Sequence, residues 1–351
     1  MLEALRARIL ERRPLRIRGG GSKDFYGQAL ADDILDTRGY SGIVEYEPTE
    51  LVITARCGTP LAEVQAALAA RRQMLAFEPP SFGPGATIGG VVAAGLSGPR
   101  RANAGAVREF VLGVKILDGE GRLLRFGGQV MKNVAGYDVS RLMAGSLGTL
   151  GLIAEVSLKV LPLPAAEATL RFELPQQVAL ELMNRWAGRP LPLSATCWHD
   201  DVLTVRLSGA RAAVGAAIAS LGGECVGGTE AAAIWEALRE QRHPFFAGGG
   251  DEGALWRLSL PPVTPALQLP GPMLLEWGGA QRWVRGDVDA RAAAAAAGGH
   301  ATLFRGGDER TRGCCGVFQP LAPALARIQR ELKRAFDPHG VLNPGRLYPD
   351  F

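Results

Sequence analysis

The chain has 351 residues, with 39 Lys and Arg against 35 Asp and Glu and a formal net charge of +4. A composition of 47% hydrophobic and 21% charged residues excludes disorder, collagen and coiled coil, and the length suits about two domains. The cations are spread along the chain and form no run that would track a phosphate backbone, so nucleic acid is not an expected partner.

Residues 1–13 carry Arg and Glu at helical spacing with no apolar core segment, which reads as an opening helix and not as a signal peptide. Alternating Val, Ile and Leu predict strands over 15–18, 42–46, 51–56, 110–118, 122–126 and 152–161, with Asp118-Gly-Glu-Gly121 as a hairpin turn. Helices are expected over 59–72 and 138–143. Long glycine-rich connections make this an α+β arrangement without regular βαβ alternation. Pro162 and Pro164 mark a break. Beyond it come a strand over 169–174, a helix over 176–187, a hairpin from 194–198 and 202–207, and a helix over 211–221, an order that suits a compact sheet with helices on one face. A helix over 231–242, strands near 255–260, 273–276 and 282–285, and an alanine-rich helix over 288–297 follow. An amphipathic helix over 321–336 then runs into Asp337-Pro-His-Gly-Val-Leu-Asn-Pro-Gly-Arg346.

The two long uncharged stretches, 79–99 and 258–275, are interrupted by Gly or Pro, so neither is a membrane-spanning helix. Cys57, Cys197, Cys225, Cys314 and Cys315 form no CxxC pair and no secreted framework, which fits a reduced cytoplasmic location. The adjacent Cys314 and Cys315 fit either a redox pair or a buried structural role.

Glycine is the unusual figure, with 46 residues where average usage of about 7% predicts roughly 25. The informative ones form three clusters. Arg16-Ile-Arg-Gly-Gly-Gly-Ser-Lys23 follows a strand and suits a tight turn or an anion-binding nest, but lacks the spacing of a Walker loop. In the second cluster, 77–100, Gly83-Pro-Gly85 followed by Gly89 misses the Rossmann fingerprint by one residue. Its small residues, Ala86, Gly89, Gly90, Ala93, Ala94, Gly95, Ser97 and Gly98, suit backbone lying flat on a planar ligand or a helix packed closely on a sheet. The third runs from Lys132-Asn-Val-Ala-Gly-Tyr-Asp138 to Gly145-Ser-Leu-Gly-Thr-Leu-Gly-Leu-Ile-Ala-Glu155. Three such loops on one domain point to one extended dinucleotide ligand.

In this order, and ending on Phe336-Asp-Pro-His-Gly-Val-Leu-Asn-Pro-Gly-Arg346, the clusters resemble the FAD-binding proteins of the vanillyl-alcohol oxidase type with the PCMH fold. In detail they are most similar to the smaller, E-type FAD-binding subunits of bacterial glycolate oxidases. The resemblance implies a PCMH-type FAD domain of two α+β subdomains over 1–163. A smaller antiparallel α+β cap over 164–310 and a C-terminal helix and tail, 311–351, returning to the FAD domain would complete the chain. It also implies that Gly19, Gly20, Gly21 and Ser22 form the pyrophosphate loop. Thr87, Gly89, Gly90 and Gly95, with Pro79 at the start, would run under the pyrophosphate and isoalloxazine. Gly105 would lie near the flavin, Ile153 would meet the adenine side, and Asn343 would mark the C-terminal return. Relatives that bind flavin covalently use His or Cys in the first or second loop; Ser22-Lys23 and Leu96-Ser97 hold neither, so FAD is expected to be non-covalent.

Flavin oxidation of a hydroxy acid needs a cation for the carboxylate and a base for the hydroxyl proton. The resemblance suggests Arg239 as that cation, against a helix-surface arginine paired with Glu236 or Glu240. The metal-binding histidines of related D-2-hydroxyacid dehydrogenases are missing around Leu275-Glu-Trp-Gly-Gly-Ala-Gln-Arg-Trp283 and Gly306-Gly-Asp-Glu-Arg310. His199, His243, His300 and His339 lie in unrelated contexts, so no metal site is expected, and His243 alone is a candidate near substrate. The resulting expectation is an FAD-carrying subunit of a complex that oxidises glycolate, with the principal substrate site on a larger FAD-containing subunit. An iron–sulfur subunit would take the electrons, and peripheral membrane association would come through the partners. A stand-alone FAD-dependent 2-hydroxyacid dehydrogenase and a non-catalytic assembly subunit are the alternatives.

Overall fold

A computed structural model of the chain describes residues 1–28, 30–128, 137–247, 253–307 and 316–351. They form two compact units, one of residues 1–96, 105–162 and 320–351, the other of 97–104 and 163–319.

The first unit opens with α1 (Leu2–Leu10), which buries Leu5 and Ile9, and with β1 (Arg16–Arg18) paired in parallel with β2 (Ile34–Asp36). There follow β3 (Ile43–Glu47), β4 (Val52–Arg56), α2 (Leu61–Ala69), β5 (Gln73–Met74) and α3 (Ile88–Ala94). After α4 (Arg101–Ala104) come α5 (Val107–Phe110), β6 (Val111–Leu117), β7 (Leu123–Gly127), α6 (Val139–Leu142), β8 (Leu152–Lys159) and β9 (Leu161–Pro162). An antiparallel sheet of order β3-β4-β8-β6-β7 forms the core. Its middle strand, β8, buries consecutive residues from Leu152 to Ala154 and from Val156 to Leu158, because both its faces are covered. Where its hydroxyl-bearing residue meets β4, Thr54 and Ser157 satisfy each other at 2.8 Å.

In the second unit, β10 (Ala166–Glu173), α7 (Gln176–Ala187), β11 (Leu193–His199), β12 (Val202–Gly209), α8 (Arg211–Leu221), β13 (Glu224–Val226), α9 (Gly228–Arg239) and α10 (Pro244–Ala247) come first. Then follow β14 (Leu255–Ser259), β15 (Met273–Glu276), a tight 3-10 turn at Trp277–Gly279, β16 (Gln281–Arg285), α11 (Ala290–Ala296) and β17 (His300–Arg305). The strands make one antiparallel sheet of order β13-β10-β12-β11-β15-β16-β14-β17. Leu180, Met183 and Trp186 of α7 pack with Leu203 and Val205 of β12 and Leu275 of β15 in its core. Arg282 is fully buried on β16; its guanidinium donates to the carbonyls of Gly279 (3.1 Å), Pro265 (2.7 Å) and Thr264, and burial pushes its pKa down to about 10.

Strands β2, β5, β13 and β17 are absent from the sequence expectations. The first three span two or three residues each, too few to show a period of two. The helix expected over 231–242 ends at Arg239, with Gln241 at φ 53 turning the chain away. The units divide within one residue of the boundary expected after 163, while two segments fall on the other side of the expected division. Segment 97–104 belongs with the second unit: the Trp277 indole N–H donates to the Gly98 carbonyl at 3.1 Å and the Arg101 guanidinium lies 4.4 Å from the Trp277 ring. Residues 316–319 do so as well, because Val317 accepts from the Leu303 N–H of β17 at 2.9 Å.

The chain re-enters the first unit at α12 (Pro323–Phe336), which starts at Pro323 instead of 321 because proline suits the first helical position. Lys333 on this helix is buried and donates to the carbonyls of Thr149 (2.8 Å) and Leu342 (2.7 Å) and to the Asp337 carboxylate (2.7 Å). Asp337 in turn accepts the N–H groups of Val341 (2.9 Å) and Leu342 (2.7 Å), and Leu342 bridges in parallel to Leu15 beside β1.

Candidate cofactor site

β1 brings the site into being. Arg16 and Arg18 stand on one side of the strand, as alternation requires, and both donate to the carboxylate of Asp24, Arg18 Nε at 2.9 Å. The following loop has no room for side chains: a Cβ on Gly20 would lie 1.5 Å from the Gly85 carbonyl oxygen, and one on Gly19 would lie 2.2 Å from Thr87 Oγ1. Gly21 takes φ +74, where a side chain would be strained. The first two glycine clusters are therefore in backbone contact. Among the described residues, no carbonyl accepts from the N–H groups of Gly20, Gly21 or Ser22.

The second cluster resolves into α3, one face of which packs on the sheet while another lines a cavity. Thr87 caps the helix, its Oγ1 accepting from Gly90 N–H at 3.4 Å. Gly89 faces the sheet, where its N–H donates to Cys57 O at 2.9 Å and a Cβ would come within 2.6 Å of the Cys57 side chain. Gly90, Ala93 and Ala94 line a cavity of about 90 Å3, whose other walls include Arg16, Arg18, Gly19, Gly20, Gly21, Ser22, Lys23, Leu147, Asn343 and Arg346.

Asn343 ties three of these walls together. Its Oδ1 accepts from Ile17 N–H at 2.8 Å, its Nδ2 donates to Leu147 O at 2.5 Å, and its own N–H donates to Leu15 O at 2.9 Å. Arg346 folds the loop after the glycines around its guanidinium, donating to the carbonyls of Gln28 (2.9 Å), Asp24 (2.8 Å) and Tyr26.

Four cations, Arg16, Arg18, Lys23 and Arg346, thus stand around the cavity with one carboxylate, Asp24. The Nε of Arg16 is buried and has no hydrogen-bond partner among the described residues. Loop N–H groups without carbonyl partners, excess positive charge and an orphaned guanidinium N–H suit an anion such as the pyrophosphate of FAD. The volume is below the roughly 300–1,000 Å3 of sites that enclose a whole small ligand, so the cavity fits one section of an extended one.

Of the residues expected from the sequence, Gly19, Gly20, Gly21, Ser22, Thr87, Gly90 and Asn343 line this cavity. Pro79, Gly89, Gly95, Gly105 and Ile153 do not. Pro79 is buried ahead of α3, and Gly95 ends α3 at φ 67 where a Cβ would lie 2.8 Å from Gly145. Gly105, at φ +107, precedes α5, and Ile153 is buried in β8 opposite Ile116. Arg16, Arg18, Lys23, Asp24, Leu147 and Arg346 also line the site without having been expected there; the alternation of Arg16 and Arg18 on a strand entering a glycine loop is the signal that points to those two arginines. No His or Cys lines the cavity among the described residues. Cys57 lies behind Gly89 with its thiol pushed up to about 12 by burial. Residues 129–136, which hold most of Lys132-Asn-Val-Ala-Gly-Tyr-Asp138, lie outside the described residues, as do Cys314 and Cys315.

Arg239, at the end of α9, is ion-paired with Glu240 at 2.8 Å, while Glu236 pairs with Arg242 at 2.5 Å. The histidines are not all in unrelated contexts, as the tertiary fold brings His199 and His243 edge to face with ring centroids 5.2 Å apart. His243 Nδ1 accepts from Phe245 N–H at 3.2 Å, and burial, followed by the neighbouring His199, pushes its pKa down to about 4. Among the described residues no group of three or more His, Cys, Asp or Glu could hold a metal ion.

Residues 2–127 match the FAD binding domain family, a span that takes in every cavity wall except Leu147, Asn343 and Arg346. The chain is 49% identical over 353 residues to glycolate oxidase subunit GlcE of Escherichia coli K12, covering 100% of this chain and 97% of that protein. It is 33% identical over 128 residues to glycolate oxidase subunit GlcD of Bacillus subtilis, covering 36% of this chain and 27% of that one. Among solved structures, alkyldihydroxyacetonephosphate synthase shares the fold, with a TM-score of 0.67 at 14% identity over 98% of this chain and 73% of its own. With an FAD binding domain around the cavity and end-to-end identity of this order, the chain belongs to the glycolate oxidase GlcE family.

Proposed function

We propose that this protein is the FAD-carrying subunit of a complex that oxidises glycolate to glyoxylate. The observation that carries the reading is the 49% identity over the full chain to a glycolate oxidase subunit, with a cationic, glycine-walled cavity inside the matched FAD domain. Bound FAD supplies the acceptor for the two electrons of the alcohol oxidation. Arg16, Arg18 and Lys23, with the N–H groups of Gly20, Gly21 and Ser22, hold the phosphates, and the flavin is bound without a covalent bond to the chain. The absence from this sequence of the metal-binding histidines of related D-2-hydroxyacid dehydrogenases supports a principal substrate site on a larger FAD-containing partner, with an iron–sulfur subunit receiving the electrons. The described residues contain no helix long and apolar enough to cross a membrane. A cytoplasmic site of action, with membrane contact made through the partners, fits the cysteine pattern.

The test is to purify the chain alone and with its partner subunits, denature each sample and count released FAD per chain. One non-covalent FAD per chain is expected, with glycolate-dependent dye reduction by the complex and little by the chain alone. Protein free of FAD in both samples, or full turnover by the isolated chain, would overturn the reading.

A further inference from the structure

Among the described residues that line the cavity, Asp24 is the only acid and stands with four cations. A single oxygen of its carboxylate, Oδ2, accepts from both Arg16 Nη2 and Arg18 Nε, the latter at 2.9 Å. The neighbouring acids are committed elsewhere, Asp33 to Arg8 and Asp36 to Arg38, each at 2.6 Å. Asp24 is itself fixed through its backbone: its N–H donates to Gly21 O at 3.1 Å and its carbonyl accepts from Arg346 at 2.8 Å. The Arg18 guanidinium fills the place that a side chain on Gly21 would take, so its charge lies against the glycine loop. Arg16 Nε and the Nη groups of Arg18 have no acceptor among the described residues.

We infer that Asp24 is a positioning residue for the cofactor phosphates, holding the guanidiniums of Arg16 and Arg18 side by side with N–H groups left over for the ligand. The inference rests on the reading above that these arginines hold the phosphates of FAD. Two guanidiniums drawn to one oxygen repel each other. Without the carboxylate between them they swing apart into solvent, which both reach, their side chains being 18% and 35% exposed. A free arginine loses rotamer freedom when a ligand fixes it; here that loss falls on folding and not on binding. The carboxylate also lowers the summed positive charge of the wall, so charge alone predicts that its removal strengthens phosphate binding. The geometry predicts the reverse, because a guanidinium recognises a phosphate through directed, charge-assisted hydrogen bonds.

The experiment uses the full-length chain, freed of flavin and titrated with FAD. Asp24→Asn is expected to keep the melting temperature of the flavin-free wild type, since all three side chains reach solvent, while its affinity for FAD falls at least about tenfold. Asp24→Glu, which returns the charge one methylene further out, is expected to recover part of that affinity. Once Arg16→Met/Arg18→Met has removed both guanidiniums, adding Asp24→Asn is expected to change the affinity by less than about twofold, as for groups that act together. An Asp24→Asn chain that binds FAD as tightly as wild type, or more tightly, overturns the inference, the carboxylate then being idle or a competitor of the phosphates. So does a loss of affinity that persists undiminished in the Arg16→Met/Arg18→Met background. A wild-type chain that takes up no FAD overturns the phosphate reading itself, and the positioning role with it.

Discussion

Gly20 and Gly85 approach so closely that a Cβ on Gly20 would lie 1.5 Å from the carbonyl oxygen of Gly85. The loop after β1 and the loop before α3 therefore meet backbone to backbone, and the two walls of the cavity are held at a separation that only glycine permits. Gly20→Ala must push them apart. It is expected to cost about 1–3 kcal/mol, as overpacking does, and to lower the FAD retained on purification, read by urea unfolding and flavin absorbance.

Gly215 supplies the opposite sign. It lies exposed inside α8, and a methyl group added there would meet nothing within 4 Å. Gly215→Ala is expected to stabilise by about 1 kcal/mol through helix propensity and to leave FAD content unchanged. A destabilised Gly215→Ala would show that the site is not the open helix surface described.

Asn343 uses both ends of its amide on backbone, Ile17 N–H and Leu147 O. Asn343→Ala leaves two inward polar groups without partners, at about 1–3 kcal/mol each, and loses a residue type that tolerates its φ of 43. Asn343→Asp keeps the acceptor for Ile17 but sets a carboxylate against the Leu147 carbonyl. Both variants are expected to release FAD faster than wild type, measured by recovery of flavin fluorescence on dilution.

Lys333 and Asp337 form a buried pair 2.7 Å apart. Lys333→Met leaves the Asp337 carboxylate inside without its counter-charge and is expected to cost about 3–5 kcal/mol. The double variant Lys333→Met/Asp337→Asn removes the stranded charge and is expected to recover part of that loss, a coupling that a double-mutant cycle in urea measures directly.

The burial of His243, with His199 beside it, sets an acid limit on the second unit. With its folded pKa pushed down to about 4 against an ordinary 6.5, His243 stays neutral in the fold while the unfolded chain takes up a proton. Stability is therefore full above about pH 6.5 and falls as pH drops towards 4. His243→Phe is expected to flatten the decline in melting temperature between about pH 7 and about pH 4.5; an unchanged slope would place the acid sensitivity elsewhere.

Much of the fold was legible because its signals are local. Helix α7 and strand β15 sit at the residues their periodicity predicts, and the β11–β12 hairpin appears where two alternating runs meet. The glycine clusters pointed to one extended dinucleotide ligand because a chain that presses backbone on backbone leaves a compositional trace, and the family resemblance implied that this ligand is FAD. Elements of three residues, β2 and β13, leave none, and the membership of segment 97–104 depended on Trp277, far away in the chain.

The sequence by itself determined the α+β class, since turn conformations and residue sizes are written residue by residue, and its resemblance to FAD-binding proteins determined the cofactor. Only the tertiary structure decided what each glycine and each charge does. Gly89 faces the sheet and Gly90 the cavity because one residue of helix turns the backbone by about 100°. Arg239 is an ion-paired side chain, Arg16 a donor with an unused N–H, and Asn343 a clamp across three segments, because these roles depend on which distant atoms folding brings within hydrogen-bond reach.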